Sequence, residues 1–102
     1  TPTINNNYIS SWAQYSLLCK NSRERNNLIH FLNDKNIPTA IFYKNIFSNL
    51  ELYKNNNKKD YKYSQNISNR IFSIPMHPYL EKNEQDYVIE SIVKYYKKAY
   101  KC

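Results

Sequence analysis

The 102-residue sequence contains no glycine and only two cysteines and two histidines. Without glycine, the glycine-dependent phosphate loops and the nucleophile elbow of hydrolases are excluded. Cys19 and Cys102 are too few and too isolated for a disulfide framework or a zinc knuckle. His30 and His77 have no further ligand at metal-binding spacing, so no metal site is predicted. No apolar run approaches the ~20 residues of a membrane span and no signal peptide is visible, so we expect a cytoplasmic protein.

Apolar residues make up 41% of the sequence and aromatic residues 16%, which is enough for one hydrophobic core. We therefore predict a single domain over residues 1–102. The net charge is +7, and the positive charge is concentrated in residues 44–70 and 94–102. Such an excess favours acidic partners, but it also describes an ordinary solvated surface.

The first part of the chain predicts a strand followed by a helix. Residues 8–20 alternate between apolar and polar positions, as a half-buried strand does. Asn21 and Glu24 then form the pattern of a capping box, opening a helix that runs to about Lys35. Asn36 follows, at the position where a left-handed residue, normally glycine, ends a helix. The apolar face of the predicted strand consists of Ile9, Ala13, Tyr15, Leu17 and Cys19.

The rest of the chain completes a small α+β fold, a sheet of about three strands with helices packed on one side. The acidic start and basic end of the last helix match the helix dipole. Its apolar side is predicted to comprise Val88, Ile89, Ile92, Val93, Tyr96 and Tyr100. The predicted elements are a strand over 37–43, a loop with a helical turn over 44–53, a solvated loop over 54–63, a helix from Ser64 to Arg70, a strand over 71–75, and a helix over 81–100.

No catalytic constellation is visible. No serine has a base and an orienting group in a recognisable pattern, so no catalytic residue is predicted within this chain. A nucleic-acid-binding module is the alternative class, because one stretch interleaves basic and aromatic side chains that can contact phosphates and stack on bases. That stretch comprises Lys58, Lys59, Tyr61, Lys62 and Tyr63. No nucleic-acid-binding motif accompanies it.

Four short sequence motifs, called strings below, are more specific than the composition or the charge pattern. They read SSWAQYSL at 10–17, NIPTAIFY at 36–43, SIPMHPYL at 73–80 and EQDYVIESI at 84–92. Together they resemble the C-terminal small domain of the DegT/DnrJ/StrS family, the nucleotide-sugar aminotransferases of the type I pyridoxal-phosphate fold. The family's glycine before Ile-Pro-Thr falls on Asn36.

The resemblance implies a cytoplasmic enzyme that transfers an amino group from glutamate to a nucleotide-linked keto-sugar. Such enzymes supply surface polysaccharide or lipopolysaccharide. In the family, pyridoxal phosphate, its Schiff-base lysine and the acidic partner of its ring belong to a large N-terminal domain. None of the twelve lysines here lies in the matching motif. The resemblance therefore implies a homodimeric parent enzyme with a large domain, and a chain that is inactive and binds no cofactor alone.

The resemblance also implies substrate-binding residues. The family segment reads roughly YYPxPxHxQxxY, and the matching stretch here is FYKNIFSNLELY at 42–53. Tyr43 and Tyr53 keep the family's tyrosines, and Ser48 stands at its histidine, so these three are the candidate substrate contacts. The alternative is that both tyrosines simply pack. His77, in a proline-fixed turn, is predicted to be structural. The chain departs from the family pattern at Lys44, Ile46, Ser48 and Leu50.

Overall fold

The computed structural model describes residues 1–56 and 61–99. Within them the chain forms a two-stranded antiparallel sheet and three α-helices, which confirms the α+β class. Two 3-10 turns lie between the first two helices. In chain order the elements are β1 (Tyr15–Leu18), α1 (Ser22–Asn33), the 3-10 turns Phe47–Asn49 and Glu51–Asn56, α2 (Lys62–Arg70), β2 (Ile71–Ile74) and α3 (Lys82–Ala99).

The strand predicted over 37–43 is reduced to a single bridge between Ala40 and Ser73. Pro38 has no amide proton to donate to a ladder. The amide of Ile37 is already used, since it donates to the carbonyl of Leu32 at 3.0 Å at the end of α1. The described sheet therefore has two strands where about three were expected.

β1 is shorter than the predicted strand over 8–20. Trp12 has a φ of 49°, in the left-handed region, and an extended strand cannot continue through it. Consequently Ile9 and Ala13 are exposed, whereas Leu17 and Cys19 do face the core as the alternation predicted.

The capping box of α1 is confirmed. The Asn21 side chain accepts a hydrogen bond from the amide of Glu24 at 2.9 Å. The Glu24 carboxylate accepts in return from the amide of Lys20 at 2.6 Å, one residue before the cap. At the other end Asn36 has a φ of 57°, so this asparagine adopts the left-handed conformation predicted for it.

The core lies between α1, α3 and one face of the sheet. Phe72 from β2 and Leu32 from α1 have no exposed surface. Burying each such side chain is worth about 1.5–3 kcal/mol. The buried apolar residues are Cys19, Leu28, Leu32, Ile37, Phe72 and Val88.

Two helices differ in detail from expectation. The apolar side of α3 is rotated, because Tyr95 packs against Phe31 of α1 with ring centroids 5.4 Å apart, while Ile89 and Val93 stay 50% and 44% exposed. α2 begins two residues before the predicted Ser64, and no side chain caps it.

Some predictions fall outside the described residues. The predicted loop over 54–63 starts within the second 3-10 turn and ends in the first turn of α2, and residues 57–60 lie outside the description. Tyr100 and Cys102 lie outside it as well. Among the described residues, no helix has both the length and the apolar character to cross a membrane.

Candidate functional site

The three predicted substrate contacts lie on one surface segment between α1 and α2. Tyr43 is 76% exposed, Tyr53 is 43% exposed and Ser48 is half-buried. The ring of Tyr53 meets that of Phe47 edge to face, with centroids 6.0 Å apart. Neither tyrosine is buried in the core.

This segment is attached to α2 by side-chain hydrogen bonds. The buried hydroxyl of Ser68 lies 2.8 Å from the carbonyl oxygen of Lys44 and 3.2 Å from that of Tyr43, and it donates its proton to one of them at a time. Further along, the Asn49 amide group donates to the side-chain carbonyl of Gln65. The backbone at Tyr43 is thus held by Ser68 of α2, which lies 25 residues later in the chain.

Sequence reasoning missed a groove of about 330 Å³ beside β2. Its walls come from three separate segments, and each belongs to one of the strings that carry the family resemblance. The lining residues were therefore recognisable in the sequence as family motifs, but the sequence did not show that the three motifs lie side by side in the fold. The lining residues are Ala13, Gln14, Pro38, Thr39, Ala40, Phe42, Ser73, Ile74, Pro75 and Met76.

Ser73 joins these walls. Its amide donates to the carbonyl of Ala40 at 2.7 Å and its carbonyl accepts from the amide of Ala40 at 3.1 Å. Its hydroxyl lies 2.9 Å from the hydroxyl of Ser16 on the neighbouring strand. The Ser73 side chain is thus on the sheet face opposite to Phe72, and it is 5% exposed.

The groove is apolar with a few neutral polar groups. The described residues that line it include no acidic or basic side chain. None of Tyr43, Ser48 and Tyr53 lines it, although Phe42, which does, precedes Tyr43 and meets its ring edge to face at 5.9 Å. The groove therefore adjoins Tyr43, the first of the three predicted contacts, through its neighbour Phe42.

The groups with perturbed acidity lie in the core. Burial raises the pKa of the Cys19 thiol, whose sulfur is 4.0 Å from the Tyr96 hydroxyl. Burial likewise raises the pKa of Tyr95. Neither residue lines the groove, so both shifts follow from packing and mark no catalytic group.

The histidines and the basic stretch form no site of their own. His30 and His77 are both exposed, and the described residues contain no cluster of side chains that could hold a metal ion. In the stretch proposed for nucleic acid, Tyr63 is 81% exposed and Tyr61 is 42% exposed on and before α2. Lys58 and Lys59 fall outside the described residues.

Comparison with known proteins gives one consistent result. A family model described as the DegT/DnrJ/EryC1/StrS aminotransferase family matches residues 1–93. Among solved structures, a DegT DnrJ EryC1 StrS aminotransferase from Brucella abortus is similar over 92% of this chain, with 32% identity and a TM-score of 0.83. That match covers 25% of the Brucella chain. A search of curated proteins found no match.

Proposed function

Because the chain belongs to the DegT/DnrJ/EryC1/StrS aminotransferase family, we propose that it is the small C-terminal domain, or a remnant of it, of a larger aminotransferase. The parent reaction is transfer of an amino group from glutamate to a nucleotide-linked keto-sugar, with pyridoxal phosphate as cofactor. Its product serves surface polysaccharide or lipopolysaccharide synthesis in the cytoplasm. The observation that carries the proposal is a family match over residues 1–93 combined with coverage of 25% of a relative's chain.

The residues present do not fit pyridoxal phosphate. That cofactor needs an amine for its aldehyde, an acid at its ring nitrogen and donors for its phosphate. Among the described residues, the lining of the groove offers none of the charged groups, and its polar side chains are those of Gln14, Thr39 and Ser73. We therefore assign no chemical step to this chain. The cofactor and its lysine belong to the rest of the parent polypeptide.

The groove is where the rest of the aminotransferase docks. It is uncharged, it is built by three of the strings typical of the family, and much of the Brucella chain has no counterpart here. Apolar surface of this kind, next to the exposed Phe42 and Met76, gains free energy when another domain covers it. Docking there places Tyr43, whose ring meets that of Phe42, at the edge of the domain boundary, where ligand pockets commonly form.

A spectroscopic titration tests the absence of the cofactor site. Pyridoxal phosphate added to the 102-residue chain is expected to leave the visible absorbance spectrum of the free cofactor unchanged. The complete parent polypeptide is expected to shift that spectrum, and glutamate is expected to reverse the shift. A glutamate-sensitive band with the short chain alone would mean that the active site has been misplaced.

Steady-state kinetics on the complete polypeptide test the substrate residues. Tyr43→Phe and Tyr53→Phe each remove one hydroxyl, and a lost hydrogen bond of about 1 kcal/mol raises KM about fivefold. Tyr63→Phe is the matched control, since that tyrosine is also exposed but lies on α2. If all three variants keep the parental KM, the tyrosines only pack and the substrate assignment is wrong.

A charge placed in the groove tests docking. Met76→Lys in the complete polypeptide is expected to lower activity at least about tenfold, because an unpaired ammonium would be buried between domains. Ile89→Lys is the control, on the exposed side of α3. Equal activity of both variants would show that the groove does not lie at the domain boundary. Sedimentation of the same polypeptide tests the homodimer that we expect for the complete enzyme.

A further inference from the structure

We propose that Arg25 of α1 is the positioning residue for the segment that carries Tyr43, because it holds the junction of α2 and β2 where the chain leaves the sheet. The proposal concerns the candidate substrate segment, so its functional meaning rests on the function proposed above. Arg25 is 8% exposed, and in the described part of the chain it is the one charged residue that is buried.

The guanidinium group of Arg25 is held by neutral acceptors. Its Nη1 donates to the carbonyl of Ser68 at 3.2 Å, in the last turn of α2, and to the carbonyl of Ile71 at 3.4 Å, at the start of β2. Its Nε donates to the side-chain carbonyl of Asn26 at 3.0 Å, which orients the guanidinium plane. Because removing a cation from water is costly, these charge-assisted bonds must offset that cost. They connect α1 to both sides of the junction.

The carbonyl of Ile71 is one that a longer third strand would use. Ser73 and Ala40 exchange two backbone hydrogen bonds, at 2.7 and 3.1 Å. In an antiparallel pair the next such exchange lies two residues further along each strand, so it would join Ile71 to Phe42. Arg25 donates to Ile71 in place of the Phe42 amide. The pairing therefore stops at Ala40, and the chain turns away from the sheet at Phe42.

Ser68 connects Arg25 to the chain that has turned away. Its carbonyl accepts from Arg25, while its hydroxyl lies 2.8 Å from the carbonyl oxygen of Lys44 and 3.2 Å from that of Tyr43. Ser68 is 5% exposed, so water does not compete for these contacts. Arg25 therefore acts on the backbone of Tyr43 through another residue.

Carbonyl carbon shifts measured by NMR on the 102-residue chain test this connection. Ser68→Ala removes the hydroxyl and gives the reference change in the Tyr43 and Lys44 carbonyl resonances. Arg25→Met keeps an unbranched apolar stem without a donor, and it is expected to move both resonances in the same direction. Arg23→Met makes the same change at an exposed position of α1, and it is expected to leave both resonances unchanged.

Amide exchange separates positioning from a general loss of stability. In Arg25→Met, exchange across residues 43–50 is expected to become about tenfold faster, because hydrogen bonds from a charged donor no longer oppose local opening. The amide of Val88, a buried residue of α3, is the internal control and is expected to change much less. A merely structural role would speed exchange at Val88 by the same factor, through global unfolding.

Two further variants test the route through Ser68. If Arg25 acts through Ser68, the double variant moves the Tyr43 and Lys44 resonances no further than Ser68→Ala alone. Arg25→Lys keeps the charge and a donor on a shorter stem, so it is expected to move the resonances part of the way. The lysine variant also provides the measurement if Arg25→Met does not fold.

Parental Tyr43 and Lys44 resonances in Arg25→Met, or in Arg25→Lys if only that variant folds, would overturn the proposal. Equal changes in Arg23→Met, or changes that add in full in the double variant, would do the same. These measurements need no substrate, cofactor or further part of the polypeptide. A complete polypeptide without aminotransferase activity would overturn the proposed function instead, and the result for Arg25 would stand.

Discussion

Replacing Ser68 with alanine tests how the candidate substrate segment is held in place. The Ser68 hydroxyl is buried and reaches the carbonyls of Tyr43 and Lys44, at 3.2 and 2.8 Å. The hydroxyl has a single proton, so one shared hydrogen bond is lost. Its net contribution to the free energy of unfolding is about 1 kcal/mol. For a domain of this length that corresponds to a fall of about 5 °C in Tm.

A matched variant removes the effect of helix propensity from this comparison. Ser64→Ala makes the same chemical change on α2, but Ser64 is exposed. Alanine favours the helix by a few tenths of a kcal/mol at either position. The difference in Tm between the two variants therefore measures the contribution of the Ser68 hydrogen bond. Circular dichroism gives Tm, and amide exchange in residues 43–50 reports the loosened segment.

The reasoning is refuted by either of two results. The first is that both variants unfold within about 1 °C of each other, which would mean that the hydrogen bond contributes nothing measurable. The second is that Ser68→Ala lowers Tm while amide exchange in residues 43–50 stays unchanged. In that case Ser68 would stabilise α2 alone, and the segment with Tyr43 would be held by other contacts.

Three further predictions use other features. Burial raises the pKa of Cys19 and Tyr95, so their neutral forms stabilise the fold, and that stability is lost as the pH rises past the unfolded thiol pKa of about 8.5. Denaturant titrations above that pH should show a falling free energy of unfolding, with a shallower fall in Cys19→Ala. A free energy of unfolding that rises with pH would contradict the expected sign. Asn36→Gly should leave the free energy of unfolding within about 0.5 kcal/mol and Asn36→Ala should lower it by about 1 kcal/mol, since only the alanine resists a positive φ; equal effects would contradict this. Gel-shift titration with single-stranded nucleic acid should show no retardation at low salt, whereas salt-sensitive binding that Tyr63→Ala weakens would favour the nucleic-acid alternative.

Local patterns in the sequence were sufficient to predict that the three helices exist. The boundary of α1 depends on Asn21, Glu24 and Asn36, which lie within a few residues of the groups they satisfy. Amphipathic spacing placed the start of α3 within one residue of Lys82, although it did not reveal the rotation that Tyr95 imposes through its contact with Phe31. That rotation depends on another helix, so the spacing within α3 could not reveal it.

The sheet and the groove depend on long-range pairing. The segment 37–43 has the residues of a strand, but only Ala40 meets a partner, because α1 takes the amide of Ile37 and Pro38 has none. The candidate site was only partly predictable for the same reason. The resemblance pointed to Tyr43, Ser48 and Tyr53, whereas the groove arises from strings more than 20 residues apart that the fold brings together.

The double role of Ser73 has a thermodynamic consequence. It bonds Ala40 by its backbone and Ser16 by its hydroxyl, so the groove exists only while β1, β2 and residue 40 are assembled. Anything that binds the groove therefore binds the folded state alone and shifts the folding equilibrium toward it. In the larger aminotransferase that we propose, a domain attached through the same polypeptide would act at a local concentration in the millimolar range, and a ligand at 100 times its Kd adds about 2.7 kcal/mol. On that proposal, these residues reach their full stability only as part of the longer chain, and a mutation in their core is better tolerated there than in isolation.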